Sequence, residues 1–281
     1  MKLIADSGST KTDWCLIDGR VEVWHRNTQG INPIVQAPDK INAVLKGELC
    51  LPEEYAAYVT DVFFYGAGCR EDMVSMMKGL LKRAMPGIGS ISVCSDLLAA
   101  ARALCGNKEG IACILGTGAN SCLYDGISIT ANTPALGYIL GDEGSGAVLG
   151  KLFVNALFKG RLSADIREAF EAETQLTVTD IINKVYRQPM PNRFLASLSL
   201  FISRHIDAPA LHRLVVGNFR SFLANNIRPY NRPDLPVNAI GSMAYHYRDC
   251  LEEAARAEEM TIGTVMKSPM EGLVVYHASG K

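Results

Sequence analysis

The sequence predicts an α/β protein with two lobes, because one strand–turn–strand pattern occurs twice along the chain. The first copy spans Lys2–Asp18 and turns through the polar segment 6–12. The second copy spans Ile111–Tyr124 and turns through Gly116–Gly118. Two similar segments about half a chain apart suggest two related units. The length of 281 residues, at the upper limit for a single hydrophobic core, also favours two lobes.

The first turn has the composition of a phosphate-binding hairpin. Gly8 lets the backbone come close to a ligand, since it has no Cβ, and Lys11 adds a positive charge. Three hydroxyl side chains accompany them: Ser9, Thr10 and Thr12. Consecutive backbone N–H groups in such a turn can bind an anion, and Asp6 at the strand end is suited to holding hydrated Mg²⁺. The alternative is a solvated hairpin with ordinary turn residues.

The second turn, Gly116-Thr117-Gly118, repeats this design after an apolar strand. A hydroxyl side chain is again flanked by glycine, so each lobe would supply one phosphate-binding turn. The nucleotide is therefore expected to lie between the two lobes.

Asp96 follows the apolar strand 91–94 and opens a helix that Gly106 ends. Ser95 is a natural N-cap for this helix. Asp96 would be stabilised there by the helix dipole alone. However, a carboxylate at the carboxyl end of a strand in an open α/β sheet also lies where catalytic groups gather. Both interpretations remain open on the sequence.

Glycines surround Asp142 and Glu143 just before an apolar helix at 147–158. Because glycine has no side chain, the backbone at this helix start can approach a ligand closely. The alternative is that the two carboxylates only complement the helix dipole.

Mostly helical sequence follows, and we expect single helices at 194–205, 210–227 and 243–259. The strand before the last of these ends at Gly241, and Ser242 is predicted to cap the helix. A final helix at 269–278 is predicted from Ser268-Pro-Met-Glu, which has an N-cap residue, proline and glutamate in the favoured order.

Composition excludes several classes of protein. The formal net charge of −1 provides no broad basic surface for nucleic acid or an anionic membrane. A start without a secretory signal and the lack of an apolar run near ~20 residues predict a cytoplasmic protein. The eight cysteines contain no C-x-x-C pair and are expected to be small buried apolar residues.

Five motifs together resemble one family. They are, in order, Asp6-Ser-Gly-Ser-Thr-Lys-Thr, Gly116-Thr-Gly-Ala-Asn, Gly141-Asp-Glu-Gly-Ser-Gly, Gly241-Ser-Met-Ala and Ser268-Pro-Met-Glu-Gly-Leu. The chain resembles, over nearly its whole length, the BadF/BadG/BcrA/BcrD-type ATPases of the actin/hexokinase/Hsp70 superfamily, and especially their N-acetylglucosamine kinase branch.

The resemblance implies a fold of two ribonuclease-H-like lobes with a nucleotide cleft between them. The N-terminal lobe would be 1–105, the C-terminal lobe 106–267, and the helix at 268–281 would pack back on the first lobe. The implied activity is ATP-dependent phosphorylation of an amino sugar such as N-acetylglucosamine, at the 6-hydroxyl, with ATP and Mg²⁺ as cofactors.

The resemblance also implies roles for individual residues. Asp96 would be the catalytic base, Asp6 would hold Mg²⁺ through water, and Gly241 and Ser242 would position adenosine. The residues of the sugar site would be Asn32, Ala119, Asn120, Leu136, Gly137 and Asp142. Leu136 is a departure, since the resembled kinases have a tryptophan there, and the identity of the sugar stays open. Asn32 could instead cap a nearby helix.

Two other functions stay open within the family. One is an ATPase that drives a partner dehydratase through an iron–sulfur cluster, which would need grouped cysteines, whereas Cys69, Cys105 and Cys122 stand apart in the sequence. The other is a nucleotide-binding regulator without catalysis, which the presence of Asp96 disfavours. A homodimer is a further possibility that the sequence does not decide.

Overall fold

The computed structural model describes residues 1–8 and 10–279, and its internal contacts divide the chain into two compact units. Unit 1 comprises Met1–Lys108, Asp125–Ile129 and Ser268–Lys281. Unit 2 comprises Glu109–Tyr124 and Thr130–Lys267. There are two five-stranded sheets, surrounded by helices, which confirms the predicted α/β class.

The first sheet has the order β3-β2-β1-β4-β5. Its strands are β1 Lys2–Ser7, β2 Lys11–Asp18, β3 Val21–Gln29, β4 Asp61–Gly66 and β5 Ser90–Ser95. The strands β1, β2 and β3 form an antiparallel meander, whereas β4 and β5 run parallel to β1. The carboxyl ends of the three parallel strands therefore meet at one edge of the sheet.

Helices cover both faces of this sheet. They are α1 Pro38–Gly47, α2 Glu53–Ala56, α3 Glu71–Ala84, α4 Asp96–Cys105 and a C-terminal helix at Met270–Ala278. Alternate residues of the central strands enter different cores, as the period of a strand requires. Trp14 packs in the core that includes α1 and α3, whereas Cys15 packs in the core that includes the C-terminal helix.

The C-terminal helix is anchored to unit 1 by a buried polar group. Tyr65 donates its hydroxyl hydrogen to Nε2 of His277 at 2.9 Å, because the Tyr65 oxygen accepts an N–H of Arg102 at 2.8 Å. Lys2 donates to the carbonyl of His277 at 2.7 Å. The helix also approaches α4 closely, since a Cβ on Gly272 would lie 2.4 Å from the carbonyl oxygen of Ala103.

The second sheet has the order β10-β9-β6-β7-β8. Its strands are β6 Gly110–Leu115, β7 Ala119–Tyr124, β8 Ile129–Ala131, β9 Val237–Ile240 and β10 Ile262–Met266. β6 pairs antiparallel with β7 and parallel with β9, as β1 does with β2 and β4. The repeat predicted from two similar turns therefore extends to the whole strand order of the two sheets.

Unit 2 is rich in helices. They are α5 Gly137–Leu140, α6 Gly146–Phe158, α7 Ala164–Thr174, α8 Val178–Tyr186, α9 Pro191–Ser197, α10 Ser199–Arg204, α11 Pro209–Phe222, α12 Ser242–His246 and α13 Arg248–Ala257. A π-helical turn at Leu223–Ile227 and a 3₁₀ turn at Arg228–Tyr230 extend α11. Phenylalanines from several of these helices form the centre of the core: Phe153, Phe170, Phe201 and Phe219.

Two of the predicted single helices are wrong, because each is divided into two. The helix predicted at 194–205 breaks at Leu198, where hydrogen bonds shift to the shorter i→i+3 spacing. The helix predicted at 243–259 breaks at Tyr247, whose buried ring is fixed by a hydrogen bond to the carbonyl of Ser199. At Tyr247 a tertiary contact thus outweighs local helix propensity.

Two predicted caps are also wrong. The C-terminal helix has Pro269 at its N-cap position and no side-chain cap hydrogen bond from Ser268. Helix α12 has Gly241 at its N-cap position, and Ser242 is its first residue. The predicted cap at Ser95 is confirmed, since its hydroxyl accepts the Leu98 N–H. No helix among residues 1–8 and 10–279 is both long and apolar enough to cross a membrane.

Candidate active site

The aligned ends of β1, β4 and β5 bring two predicted site residues of unit 1 to one edge of the sheet. Ser7 pairs with Gly66, and Gly66 pairs with Ser95. Asp6 lies one residue before this line and Asp96 one residue after it. The register of three parallel strands therefore places both carboxylates in the same region.

Asp6 lies directly opposite Asp13 in the antiparallel pair of β1 and β2, so their side chains share one face of the sheet. The pKa of Asp6 is raised to about 7, chiefly by burial and then by the charges of Asp96 and Asp13, whereas the charge of Lys11 opposes the shift. A half-buried carboxylate with negatively charged neighbours is a favourable place for a cation.

Asp96 is half-buried at the first position of α4. Its Oδ1 atom accepts the N–H of Leu97 at 2.9 Å. Burial raises the pKa of Asp96, and this backbone hydrogen bond opposes the shift. A carboxylate with a raised pKa is a better proton acceptor in its ionised form than an ordinary surface aspartate. The helix-start contact and a role as base are therefore compatible.

The first turn is held by hydroxyl groups inside the hairpin. The Ser7 and Thr12 hydroxyl oxygens lie 2.6 Å apart, and Ser7 Oγ accepts the Ile31 N–H. Thr12 is completely buried, so the structure places its hydroxyl within the fold rather than on the surface of the turn. Gly8, Thr10 and Lys11 are exposed, and Ser9 lies outside the described residues.

Asn32 does not cap a helix, because the N-cap position of α1 is Ala37. Its Oδ1 atom instead accepts the Ile34 N–H at 3.0 Å. A Cβ on Gly68 would lie 2.3 Å from the same oxygen, and Gly68 has a φ of +80°. Glycine is thus required at this position to leave space for the Asn32 side chain.

The second predicted phosphate-binding turn, Gly116–Gly118, lies in unit 2 and is hydrogen-bonded to the start of α6. The N–H groups of Gly146 and Ala147 donate to the carbonyls of Gly116 and Thr117, at 2.8 and 3.1 Å. Thr117 itself is exposed at the tip of the turn. The turn and the helix start therefore form one hydrogen-bonded element.

Gly241 packs against the same turn. It has a φ of +123°, and a Cβ there would lie 2.3 Å from the carbonyl oxygen of Leu115. This close approach explains the glycine without any ligand. Ser242, the other residue predicted to contact adenosine, is exposed.

Asp142 connects the predicted sugar loop to the second turn. Its carboxylate faces the backbone N–H groups of Ala119 and Gly137, and a Cβ on Gly118 would lie 3.1 Å from Oδ2. Burial raises the pKa of Asp142, and these N–H groups oppose the shift. Asp142 also has a left-handed backbone, with a φ of 54°.

The remaining predicted sugar residues lie on either side of Asp142. Asn120 Oδ1 accepts hydrogen bonds from the Ser121 N–H and the Asn132 amide, both at 2.9 Å. Leu136 has a φ of 63° and is 65% exposed, and it directly precedes the exposed Gly137. The structure thus brings Ala119, Asn120, Gly137 and Asp142 together within unit 2.

Comparison with known proteins adds to this geometry. No protein-family model matches the chain, and no curated protein matches it. Among solved structures, a candidate N-acetylglucosamine kinase from Porphyromonas gingivalis is 50% identical, with a TM-score of 0.97. The match covers 100% of this chain and 99% of that one. The chain belongs to the N-acetylglucosamine kinase-like family.

More distant structures share the fold of this family. A candidate N-acetylglucosamine kinase from Chromobacterium violaceum is 20% identical, with a TM-score of 0.75, and the match covers 98% of each chain. A ROK hexokinase from Thermus thermophilus is 16% identical, with a TM-score of 0.52, and the match covers 99% of this chain and 96% of that one.

Two acidic residues, Asp13 and Glu143, have partners that the sequence analysis did not predict. Asp13 could have been found from the symmetry of the hairpin, since pairing Ser7 with Thr12 places Asp6 opposite Asp13. Its side chain is bonded to His25. Glu143 accepts hydrogen bonds from the amides of Asn225 and Asn226. No local pattern indicates that pairing, because more than 80 residues separate the partners.

The cysteines singled out in the sequence lie in different elements. Cys69 is buried in the loop before α3, Cys105 ends α4, and Cys122 is buried in β7. Within residues 1–8 and 10–279, no group of three or more His, Cys, Asp or Glu side chains is arranged to hold a metal ion directly.

Proposed function

We propose that the protein is an ATP-dependent kinase that phosphorylates the 6-hydroxyl of an amino sugar of the N-acetylglucosamine type. The observation that carries the proposal is the placement of Asp6 and Asp96 at the aligned ends of β1, β4 and β5. A protein that is 50% identical over its full length, described as a candidate N-acetylglucosamine kinase, supports this substrate class.

Asp96 would accept the proton of the attacking sugar hydroxyl. Its pKa is raised by burial, which strengthens the ionised carboxylate as a base. The hydrogen bond from Leu97 fixes one of its oxygen atoms and leaves the other for the sugar. Phosphoryl transfer depends mainly on positioning and charge stabilisation, so the only proton acceptor that the protein has to supply is one correctly oriented base.

The residues around Asp6 fit a magnesium ion held through water. Carboxylate oxygens are the donors that Mg²⁺ prefers, and the pKa of Asp6 is raised by burial and by the two neighbouring carboxylates. A cation would relieve this repulsion. Asp6 would hold the metal's water ligands, and the bound ion would neutralise charge on the phosphates of ATP.

The exposed residues of the two turns would bind the phosphates. These are Gly8, Thr10 and Lys11 in unit 1 and Thr117 in unit 2, together with the half-buried Gly116 and Gly118, while Ser9 belongs to the same proposed set. The buried Thr12 would act by holding the first turn in shape.

Gly241 and Ser242 would lie beside adenosine. A protein that uses ATP and sugar in this way would work in the cytoplasm.

The sugar would be oriented by Asn32, Asn120 and Asp142, with Ala119, Leu136 and Gly137 beside them. Leu136 would present an apolar, exposed side chain to the substrate. We expect such a side chain to tolerate acyl substituents on the sugar, whereas a polar side chain would form hydrogen bonds with individual hydroxyl groups.

A coupled assay of ADP release tests the proposal. Purified protein is given ATP, Mg²⁺ and one of five sugars: glucosamine, N-acetylglucosamine, N-acetylmuramic acid, N-acetylmannosamine or glucose. We expect the highest kcat/KM with an N-acylated amino sugar. ADP release that is the same with and without every sugar would contradict the proposal.

A further inference from the structure

The backbone of Asp142 is held by hydrogen bonds within unit 2. Its N–H donates to the Ala135 carbonyl at 2.9 Å, and its own carbonyl accepts the Ser145 N–H at 3.0 Å. Its carboxylate faces the N–H groups of Ala119 and Gly137. A left-handed backbone is unfavourable at a residue other than glycine, so these contacts must hold Asp142 in place.

One face of α11 and the π-helical turn forms hydrogen bonds with Glu143, Gly144 and Ser145, the three residues that follow Asp142. Asn218 is buried, accepts the Gly144 N–H at 3.0 Å and donates to the Ser145 carbonyl at 3.1 Å. Asn225 and Asn226, seven and eight residues later and so on the same face, donate to Glu143 at 3.1 and 3.4 Å. We call Asn218, Asn225 and Asn226 the asparagine face.

Two connections lead from this loop to the second phosphate turn. The first is direct: the Asp142 carboxylate lies against the turn itself, where Oδ2 would be 3.1 Å from a Cβ on Gly118, and it faces the N–H of Ala119, the next residue. The second runs through the start of α6, where Gly146 and Ala147 donate to the carbonyls of Gly116 and Thr117. A change in the loop is therefore transmitted to the turn by contacts on both sides of it.

We propose that Asp142 couples the sugar site to the phosphate site, and that the asparagine face positions it for this purpose. The inference rests on the proposed function. A sugar hydroxyl that donates to Asp142 orders the carboxylate, and through Ala119 it orders the second turn. A phosphate that binds afterwards meets a turn that is already ordered, so the two ligands strengthen each other's binding.

The first test is a calorimetric titration of a non-hydrolysable ATP analogue in the presence and absence of N-acetylglucosamine. Coupling between sites is typically on the order of 5- to 150-fold, and we expect the sugar to tighten nucleotide binding by at least ~5-fold in the wild-type protein. Asp142→Asn should reduce this ratio to about 1, because an amide cannot accept both N–H groups in the same way.

Two further variants separate coupling from general damage. Asn225→Ala removes one contact from an exposed side chain, and should lower the ratio while the unfolding temperature changes little. Asp165→Asn removes the same charge as Asp142→Asn from an exposed position in the first turn of α7, and should keep the wild-type ratio. A wild-type ratio in Asp142→Asn or in Asn225→Ala would overturn the corresponding part of the proposal.

The third test measures the amide hydrogen exchange rate of the peptide that contains residues 116–119. This measurement tests the link from Asp142 to the turn even if the variant does not bind sugar. Without ligand, this peptide should exchange faster in Asp142→Asn than in the wild type. In the wild type, N-acetylglucosamine alone should slow its exchange. Sugar that binds without changing this exchange would refute the coupling, whereas absence of sugar binding to the wild type would refute the proposed function instead.

Discussion

Asp96 combines a structural contact with the chemistry of a base. Its carboxylate accepts the Leu97 N–H at the start of α4, as any helix-start aspartate could, and burial raises its pKa. The sequence pointed to this residue because it follows a buried strand. The sequence singled out Asp6 and not Asp13, although Asp13 lies directly opposite Asp6 once the hairpin pairs Ser7 with Thr12.

The replacement Asp96→Asn tests the base. The amide can still accept the Leu97 N–H, so the helix start is kept, but it cannot take a proton. We expect kcat to fall by ~10²–10⁴ with little change in the KM for sugar. Steady-state kinetics measures both values, with Asp165→Asn as a charge control. A kcat close to that of the wild type would return Asp96 to a purely structural role.

The replacement Asp6→Asn tests the metal contact. It removes the charge that would hold the water ligands of Mg²⁺, so the Mg²⁺ concentration for half-maximal activity should rise. In metal-free buffer at pH 8 the unfolding temperature should rise as well, because a buried charge beside Asp13 and Asp96 is removed. An unchanged Mg²⁺ requirement together with a lower unfolding temperature would contradict the assignment.

At the scale of elements, the strands were easier to predict than the helices of unit 2. Each central strand is a short apolar run that ends at a glycine or hydroxyl turn, and this pattern is local. The break at Tyr247 accompanies a hydrogen bond to Ser199, nearly fifty residues earlier in the chain, and the break between α9 and α10 at Leu198 has no glycine or proline to mark it. The π-helical turn at Leu223–Ile227 has no sequence signal of its own, yet it supplies Asn225 and Asn226.

Two glycines in helices provide a matched pair for testing the packing of the C-terminal helix. A Cβ on Gly272 would lie 2.4 Å from the Ala103 carbonyl oxygen, whereas one on Gly217 would meet no atom within 4 Å. Gly272→Ala should destabilise the protein by about 1–3 kcal/mol. Gly217→Ala should stabilise it by about 0.5–1 kcal/mol. Urea unfolding measures both, and equal effects would contradict the close approach.

At the scale of the whole molecule, the prediction of fold and family was more complete than that of the site. Two similar turns half a chain apart were enough to predict two related sheets, and both sheets have the same strand order. The turns are local sequence features, so they could be identified from the sequence alone. The proximity of the Asp142 carboxylate to Gly118 and Ala119 could be found only from the three-dimensional structure.

Acid stability should depend on His277. Burial lowers the pKa of this histidine to about 3, with Arg102 and Lys2 contributing, whereas the unfolded chain has a histidine pKa of about 6.5. The stabilising neutral form is fully effective above pH 6.5. As the pH falls from 6.5 toward 3, the unfolded state binds the proton first, and stability falls by up to ~1.4 kcal/mol per pH unit.

His277→Gln should remove this part of the pH dependence. The free energy of unfolding, measured in urea between pH 7 and pH 5, should have a smaller slope in the variant than in the wild type. His246→Gln, at an exposed position, should keep the wild-type slope. An equal slope in His277→Gln and the wild type would show that the buried imidazole does not titrate in this way.

The central claim is that the protein transfers phosphate from ATP to an amino sugar. Phosphorus NMR of the wild-type protein with ATP, Mg²⁺ and N-acetylglucosamine follows every phosphate in one experiment. We predict that ADP and a sugar 6-phosphate appear in equal amounts, and that inorganic phosphate stays at a low level. Accumulation of ADP with an equal amount of inorganic phosphate, and no sugar phosphate, would contradict the account.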